Sequence, residues 1–222
     1  MTENIIQEHN QREKDVIDFL TTASEEINYS ISKQPNGDPL LPHRARLSLI
    51  FTLIDILGLY WDKYCGLNNT QSIYFKNWVS FFCLTQENAV YDKNKFIKQF
   101  NCEDFYKLRC SILHFYGIPR TSEGIQYILL PDFNIIQKMN FKSTPEAFVD
   151  VLSSSIKAEH RIVQIELFKQ LVWTGSISMI NKMKQYLKAQ PQQHIDGIKR
   201  IHEEVKDRGV SKINMEEGNI SK

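Results

Sequence analysis

Residues 43–64 constrain the fold more than any other stretch. Leu47, Ile50, Phe51, Ile54, Leu57, Tyr60 and Trp61 recur at helical spacing, and much of the remainder is apolar too. A helix that is apolar on nearly every side has no face to give to water, so it must lie at the centre of a bundle. Pro42 suits its start, because proline's fixed φ is that of a first helical turn. Inside the run, Asp55 stands between Ile54 and Ile56. A carboxylate taken out of water there needs a partner.

The flanking segments are helical as well. Residues 4–31 form a polar amphipathic helix with an incomplete stripe of Ile5, Val16, Phe19, Leu20, Ile27 and Ile31. Pro35-Asn36-Gly37-Asp38-Pro39 and Leu67-Asn68-Asn69-Thr70 are loops. Residues 72–84 are aromatic-rich, and the spacing of Tyr74, Phe75, Trp78, Phe81 and Phe82 fits core packing better than base stacking. Residues 88–100 read as another short helix. Asn101 or Asp104 then caps a helix that runs to Phe115 or Tyr116 and stops at Gly117-Ile118-Pro119. Residues 125–130 read as a strand, with 133–139 as its hairpin partner. Thr144-Pro145-Glu146 opens a helical pattern that continues to about Ala189, broken near Thr174-Gly175, and a last helix spans about 192–207. The expected fold is a mainly α helical bundle with a small β-hairpin near 125–139. Residues 1–207 make one domain, with a motif-bearing core over about 43–117, a helical C-terminal extension over about 144–207, and a flexible tail at 208–222.

The composition narrows the function classes. A chain of 222 residues with 42% hydrophobic and 24% charged side chains is ordinary for a soluble globular protein. A net charge of +1 argues against a general nucleic-acid coat while leaving room for a local basic groove. Residues 1–38 carry three basic and eight acidic side chains, and residues 157–208 carry ten basic and six acidic. The C-terminal half is therefore the better electrostatic guide for an anion, with solvated helix faces as the plainer reading. No apolar run reaches bilayer-spanning length, and Met1-Thr2-Glu3-Asn4 lacks the pattern of a secretory signal. Cys65, Cys83, Cys102 and Cys110 form no C-x-x-C pair, which speaks against zinc and against a disulfide framework. A cytoplasmic protein with reduced thiols is expected. His194 and His202 share the last helix with Glu203 and Glu204, but three convergent ligands are missing, so no metal is expected. No Gly-rich phosphate loop points to a cofactor. His43-Arg44-Ala45-Arg46 reads as exposed charge at a helix start rather than as a phosphate site. Ser111 lacks the glycine-flanked elbow of a serine nucleophile.

The chemistry concentrates in Phe105-Tyr106-Lys107-Leu108-Arg109-Cys110-Ser111-Ile112-Leu113-His114-Phe115-Tyr116-Gly117. Arginine can hold a phosphate through two parallel hydrogen bonds, and histidine exchanges a proton near neutral pH. Together they are a minimal kit for cutting RNA without a metal. On a straight helix, five residues turn about 500° and rise about 7.5 Å, so the two side chains start roughly 140° apart. One helix alone does not aim both at one phosphate. Distortion of the helix, or a second copy facing the first across a dimer, improves the geometry. With eight arginines and six histidines in the chain, the bare spacing proves nothing. Its weight comes from context: it lies on a helix, ends at a helix stop and is followed by Tyr116.

This segment resembles the R-x4–6-H motif of the HEPN superfamily (higher eukaryotes and prokaryotes nucleotide-binding domains). More narrowly it is similar to R-x4-H-x-Y, the form seen in HEPN toxins paired with minimal nucleotidyltransferase antitoxins. Phe105-Tyr106-Lys107-Leu108 and the earlier Ile54-Asp55-Ile56-Leu57-Gly58 are also like segments of HEPN proteins. The resemblance covers about residues 43–117. It implies an all-helical bundle, a homodimer with the motif helices near the interface, and a metal-independent endoribonuclease in a toxin, defence or stress system. Arg109 would bind the scissile phosphate, and His114 would act as general base or general acid. Tyr116 would be an auxiliary contact and the position that antitoxins modify. RNA is then the expected substrate, an antitoxin a possible partner, and neither DNA nor a membrane is expected. One position departs from the pattern: Cys110 stands where active members often carry asparagine. A second reading therefore stays open. In it the module is a non-catalytic nucleotide- or protein-binding domain, and Arg109 pairs with Asp55 on the central helix.

Overall fold

The computed structural model describes residues 3–32, 41–94, 97–115, 126–130 and 160–207. The described elements run in the order α1 (Glu3–Ile31), α2 (His43–Tyr64), α3 (Gln71–Trp78), α4 (Ala89–Lys93), α5 (Cys102–Phe115), β1 (Gln126–Leu130), β2 (His160–Gln164), α6 (Ile165–Ala189) and α7 (Pro191–Asp207). A π-helical turn, Val79–Cys83, continues α3, and a 3-10 turn, Ile97–Gln99, precedes α5. The fold is a mainly α helical bundle.

Helix α2 lies at its centre, in contact with α1, α3, α5, α6 and α7. Leu47, Ile50, Phe51, Ile54, Leu57 and Tyr64 are fully or almost fully buried. The same core takes in Val16, Leu20 and Ile31 of α1 and Phe168, Leu171, Met179 and Ile198 from the C-terminal helices. Phe168 stacks on Phe105 at 4.8 Å between ring centroids and meets Phe100 edge-on at 5.2 Å. Phe168 thus packs α6 directly against the motif-bearing helix.

Polar side chains pin the helix ends. Arg46, expected to be exposed, is completely buried. Its Nε donates to the carbonyl oxygen of Ile31 at 3.0 Å, and its Nη2 lies 3.5 Å from Glu166. The guanidinium thereby meets the negative end of α1, where a cation is favoured. Arg44, by contrast, is exposed. At the other end of α2, Gly66 takes φ +75°, the left-handed turn that ends a helix. There Arg200 of α7 donates to the carbonyl oxygens of Lys63 and Tyr64 at 2.8 and 2.7 Å. Asp62 accepts from the Asn69 backbone N–H at 3.1 Å and its Nδ2 at 2.6 Å, which fixes the loop into α3.

The aromatic segment behaves as expected in part. Phe75, Trp78, Val79 and Phe82 fall on one face and are buried, whereas Phe81 lies off that face and is 66% exposed. Trp78 donates its indole N–H to the Met179 sulfur at 3.1 Å.

Three further local expectations are corrected. First, residues 88–100 do not form one helix. Asn94 takes an extended conformation at the end of α4. Its Oδ1 then accepts from the Ile97 N–H at 3.3 Å, which starts the 3-10 turn. Second, residues 160–164, placed within a helical pattern, form β2. It pairs with β1 in parallel, from Gln126 opposite His160 to Leu130 opposite Gln164. The hairpin partner expected at 133–139 lies outside the described residues. Third, α6 runs unbroken through Thr174 and Gly175. A Cβ at Gly175 would stand 3.1 Å from the Phe82 carbonyl oxygen and from the Trp78 ring, so glycine serves close packing there, not a break. Phe19 and Ile27 of α1 are only partly buried, in keeping with its incomplete stripe.

Two predictions follow from this packing. Gly197 of α7 faces Tyr64, and a Cβ there would come within 2.6 Å of the ring and 2.9 Å of the Tyr64 carbonyl oxygen. Gly197→Ala should lower the stability to urea by about 1–3 kcal/mol. An unchanged midpoint would show that the helices separate freely. All four cysteines are free, and complete burial pushes the Cys83 thiol well above its usual range. Since the thiolate is the reacting form, alkylation in native buffer at neutral pH should spare Cys83, and unfolding in urea should expose it. Equally fast native labelling of Cys83 and Cys102 would contradict the packing.

Candidate active site

Helix α5 is set by a reciprocal cap. Asn101 Oδ1 accepts from the Asp104 N–H at 2.9 Å, and Asp104 Oδ2 accepts from the Asn101 N–H at 3.0 Å. Both residues suggested by the sequence take part. Asp104 also accepts from the Tyr127 hydroxyl at 2.8 Å, which fastens β1 to the start of α5. Phe105, Leu108 and Ile112 anchor the helix in the core.

That anchoring turns Arg109 toward α2. Its Nε and Nη2 both donate to Asp55 Oδ2, at 3.0 and 2.9 Å. The Arg109 side chain is 6% exposed and that of Asp55 16%. Burial works against the guanidinium charge, but the hydrogen bonds and negative charge of Asp55 outweigh it and hold the Arg109 pKa above its usual value. The second carboxylate oxygen of Asp55, Oδ1, is buried without a hydrogen-bond partner.

The third guanidinium nitrogen faces the other way. Arg109 Nη1 lies 3.3 Å from His114 Nε2 and 3.9 Å from the Cys110 sulfur. The angular separation on an ideal helix does not keep the two motif residues apart. The α5 backbone is regularly helical, and the long arginine side chain closes the gap. His114 itself is exposed in the last turn. The structure therefore brings together Asp55, Arg109 and His114, while Tyr116 lies outside the described residues.

Two further side chains join the site. Arg109 sits 5.8 Å from the centroid of the Tyr106 ring, and the Lys76 ammonium sits 5.2 Å from the same ring. Burial and a hydrogen bond with Cys110 raise the Tyr106 pKa. Tyr106 was not singled out from the sequence, although its place three residues before Arg109 on the helix could have signalled it. Lys76 gave no such signal, because it comes from α3.

Other concave or ligand-rich places are separate. A groove of about 570 Å³ is lined by Trp61, Asp62, Asn77, Phe81, Lys182 and Tyr186, among others, and by none of the three motif-site residues. Metal-type ligands converge at the α1–α7 contact, where His9, Glu13 and His194 meet. There burial lowers the His194 pKa, against the pull of Glu13. His202, the other histidine of α7, lies 4.0 Å from Asp15 instead.

No family model, curated protein or solved structure matches the chain. Among the described residues, no helix is long and apolar enough to cross a membrane.

The Asp55–Arg109 pair makes a testable demand on stability. Asp55→Ala leaves a buried guanidinium without its carboxylate and should cost about 3 kcal/mol. Asp55→Leu combined with Arg109→Met, an apolar replacement of both partners, should recover most of that loss in urea unfolding. A single substitution as mild as the double would mean that water reaches the pair.

Proposed function

We propose that this protein is a HEPN-like, metal-independent endoribonuclease whose centre is Arg109 and His114. One observation carries the reading: Arg109 Nη1 and His114 Nε2 lie 3.3 Å apart, with His114 exposed. A phosphate oxygen arriving beside His114 meets a fixed positive charge and a proton-exchanging group together.

In this reading the ribose 2′-hydroxyl attacks the adjacent phosphorus, and the bond from phosphorus to the 5′ oxygen breaks. The products are a 2′,3′-cyclic phosphate and a 5′-hydroxyl. His114 takes the 2′-hydroxyl proton as general base, or supplies the proton to the leaving 5′ oxygen as general acid. Arg109 stabilises the charge that builds on the phosphate oxygens. Asp55 is a positioning residue: it holds Nε and Nη2 and so sets the plane of the guanidinium. Tyr116 is an auxiliary contact. Arrangement as a homodimer through the motif helices, and an antitoxin acting on Tyr116, belong to the same proposal.

A second reading has its own support. Two of the three guanidinium nitrogens of Arg109 are engaged by Asp55, and its side chain is 6% exposed. In that case the segment is the structural pin of a non-catalytic module that binds a nucleotide or a protein.

Cleavage of a labelled RNA in EDTA separates the two. Wild type should cut and leave cyclic-phosphate ends, while Arg109→Ala and His114→Ala should each lose about 100-fold or more in rate. Absence of cleavage of several RNAs by folded wild type would favour the binding module. Equal cleavage by all three proteins would put the activity at another site.

A further inference from the structure

The contact between α1 and α7 holds a cluster of metal-type ligands that lies apart from the motif. His9 and Glu13 lie one turn apart on α1, and His194 faces them from the first turns of α7. Glu13 directs one carboxylate oxygen to each histidine, 3.8 Å from His9 Nε2 and 3.3 Å from His194 Nε2. A set of ligand atoms, one from each residue, lies within 4.8 Å of one another. The two histidine rings meet edge-on, 5.8 Å between centroids.

The hydrogen bonding is what makes the cluster informative. His194 is fully buried, and its Nε2 faces Glu13 at 3.3 Å without a well-aligned hydrogen bond; the buried Nε2 of His9, 3.8 Å from Glu13, likewise finds none among the described residues. Buried polar atoms are normally satisfied. Two imidazole nitrogens and a carboxylate converging without good mutual hydrogen bonds form a donor set that a cation would satisfy. The far side of His194 is already engaged, since its Nδ1 lies 3.0 Å from the Tyr64 hydroxyl. A metal-bound histidine normally makes such a contact through its other ring nitrogen, which fixes the ring and its tautomer.

We propose that His9, Glu13 and His194 bind a single divalent transition-metal ion, zinc by the chemistry of the donors, and that this ion clamps α1 to α7. Two imidazole nitrogens and one carboxylate oxygen form a donor set used for zinc, with a fourth position open to water. Bonds of about 2.0–2.1 Å place tetrahedral ligand atoms roughly 3.4 Å apart. The distance from Glu13 Oε1 to His194 meets this, while His9 lies 3.8 Å from the other oxygen, Oε2, and would have to draw closer. The His9 and Glu13 side chains are 15% and 20% exposed, so the cluster lies close beneath the surface. The ion is structural and lies apart from Arg109 and His114, so this proposal is independent of the ribonuclease reading.

The test uses the full chain, stripped with EDTA and returned to metal-free buffer. Titration with Co2+ should saturate at one equivalent, with the visible absorption of a four-coordinate ion, and Zn2+ should displace it. Zn2+ should also raise the melting temperature by several degrees. His9→Gln and Glu13→Gln, both at half-buried positions, should keep the far-ultraviolet circular dichroism of wild type and weaken Zn2+ binding at least tenfold. Tyr64→Phe should weaken it by about tenfold through loss of the outer contact. If stripped wild type binds Zn2+ no more tightly than the His9→Gln/Glu13→Gln double variant, the site does not exist. A cobalt spectrum that persists in the double variant would assign the ion to other ligands and equally overturn the proposal.

Discussion

Helix α2 gives water almost no face, and the rest of the bundle is arranged around that fact. A charged side chain on such a helix must find its counterpart in a neighbouring element, because leaving it unpaired in a low-dielectric core is costly. Arg46 reaches the end of α1 and Glu166 of α6. Asp55 reaches Arg109 of α5. Asp62 reaches Asn69 in the loop before α3. Each of these pairs ties the central helix to a different neighbour. Apolar packing tolerates small slides between helices, whereas a charge with one partner has one satisfactory position. The three pairs therefore fix register where the hydrophobic effect supplies only cohesion.

The same logic explains how helix ends are finished in this molecule. The carbonyl ends of α1 and α2 are met by arginines from other helices, Arg46 and Arg200. Asn88 works similarly: its Oδ1 caps α4, and its Nδ2 donates to the carbonyl oxygens of Phe82 and Leu171. Capping in trans makes one helix's stability depend on another's position. Loosening α7 would thus free the end of α2 as well as expose apolar surface.

What the sequence made legible was local. The apolar density of α2, Pro42 before it, the Asn101 cap and the last helix from about residue 192 all carry their signal within a few residues. The failures share a different origin. Strand β2 exists because residues 160–164 meet β1, a partnership that no window around them contains. Gly175 reads as a breaker from one chain segment and as a packing contact from two. Arg46 resembles surface charge until the end of α1 is placed against it. At the site, Asp55 was flagged by its apolar neighbours, and its pairing with Arg109 follows from the α2–α5 contact. The approach of Arg109 to His114 was not legible, because residue spacing fixes where Cβ atoms start and not where a long side chain ends. His9 and Glu13 lie at one end of the described chain and His194 at the other, so a search for ligands along one helix could not assemble them.

The electrostatics of Arg109 decide how the motif is to be read. Both of its bonds to Asp55 end on one oxygen, Oδ2, and they use the Nε edge of the guanidinium. That edge is committed, and the commitment fixes the orientation of the planar group. The remaining nitrogen, Nη1, faces an imidazole. The non-bridging oxygens of a phosphodiester share a negative charge, and each forms a stronger, charge-assisted hydrogen bond to guanidinium than a neutral imidazole nitrogen does. An incoming phosphate would therefore displace a weak contact without disturbing the strong ones. In the proposed ribonuclease, the Asp55 pair would hold one edge of the arginine and leave Nη1 for the phosphate, beside the exposed His114.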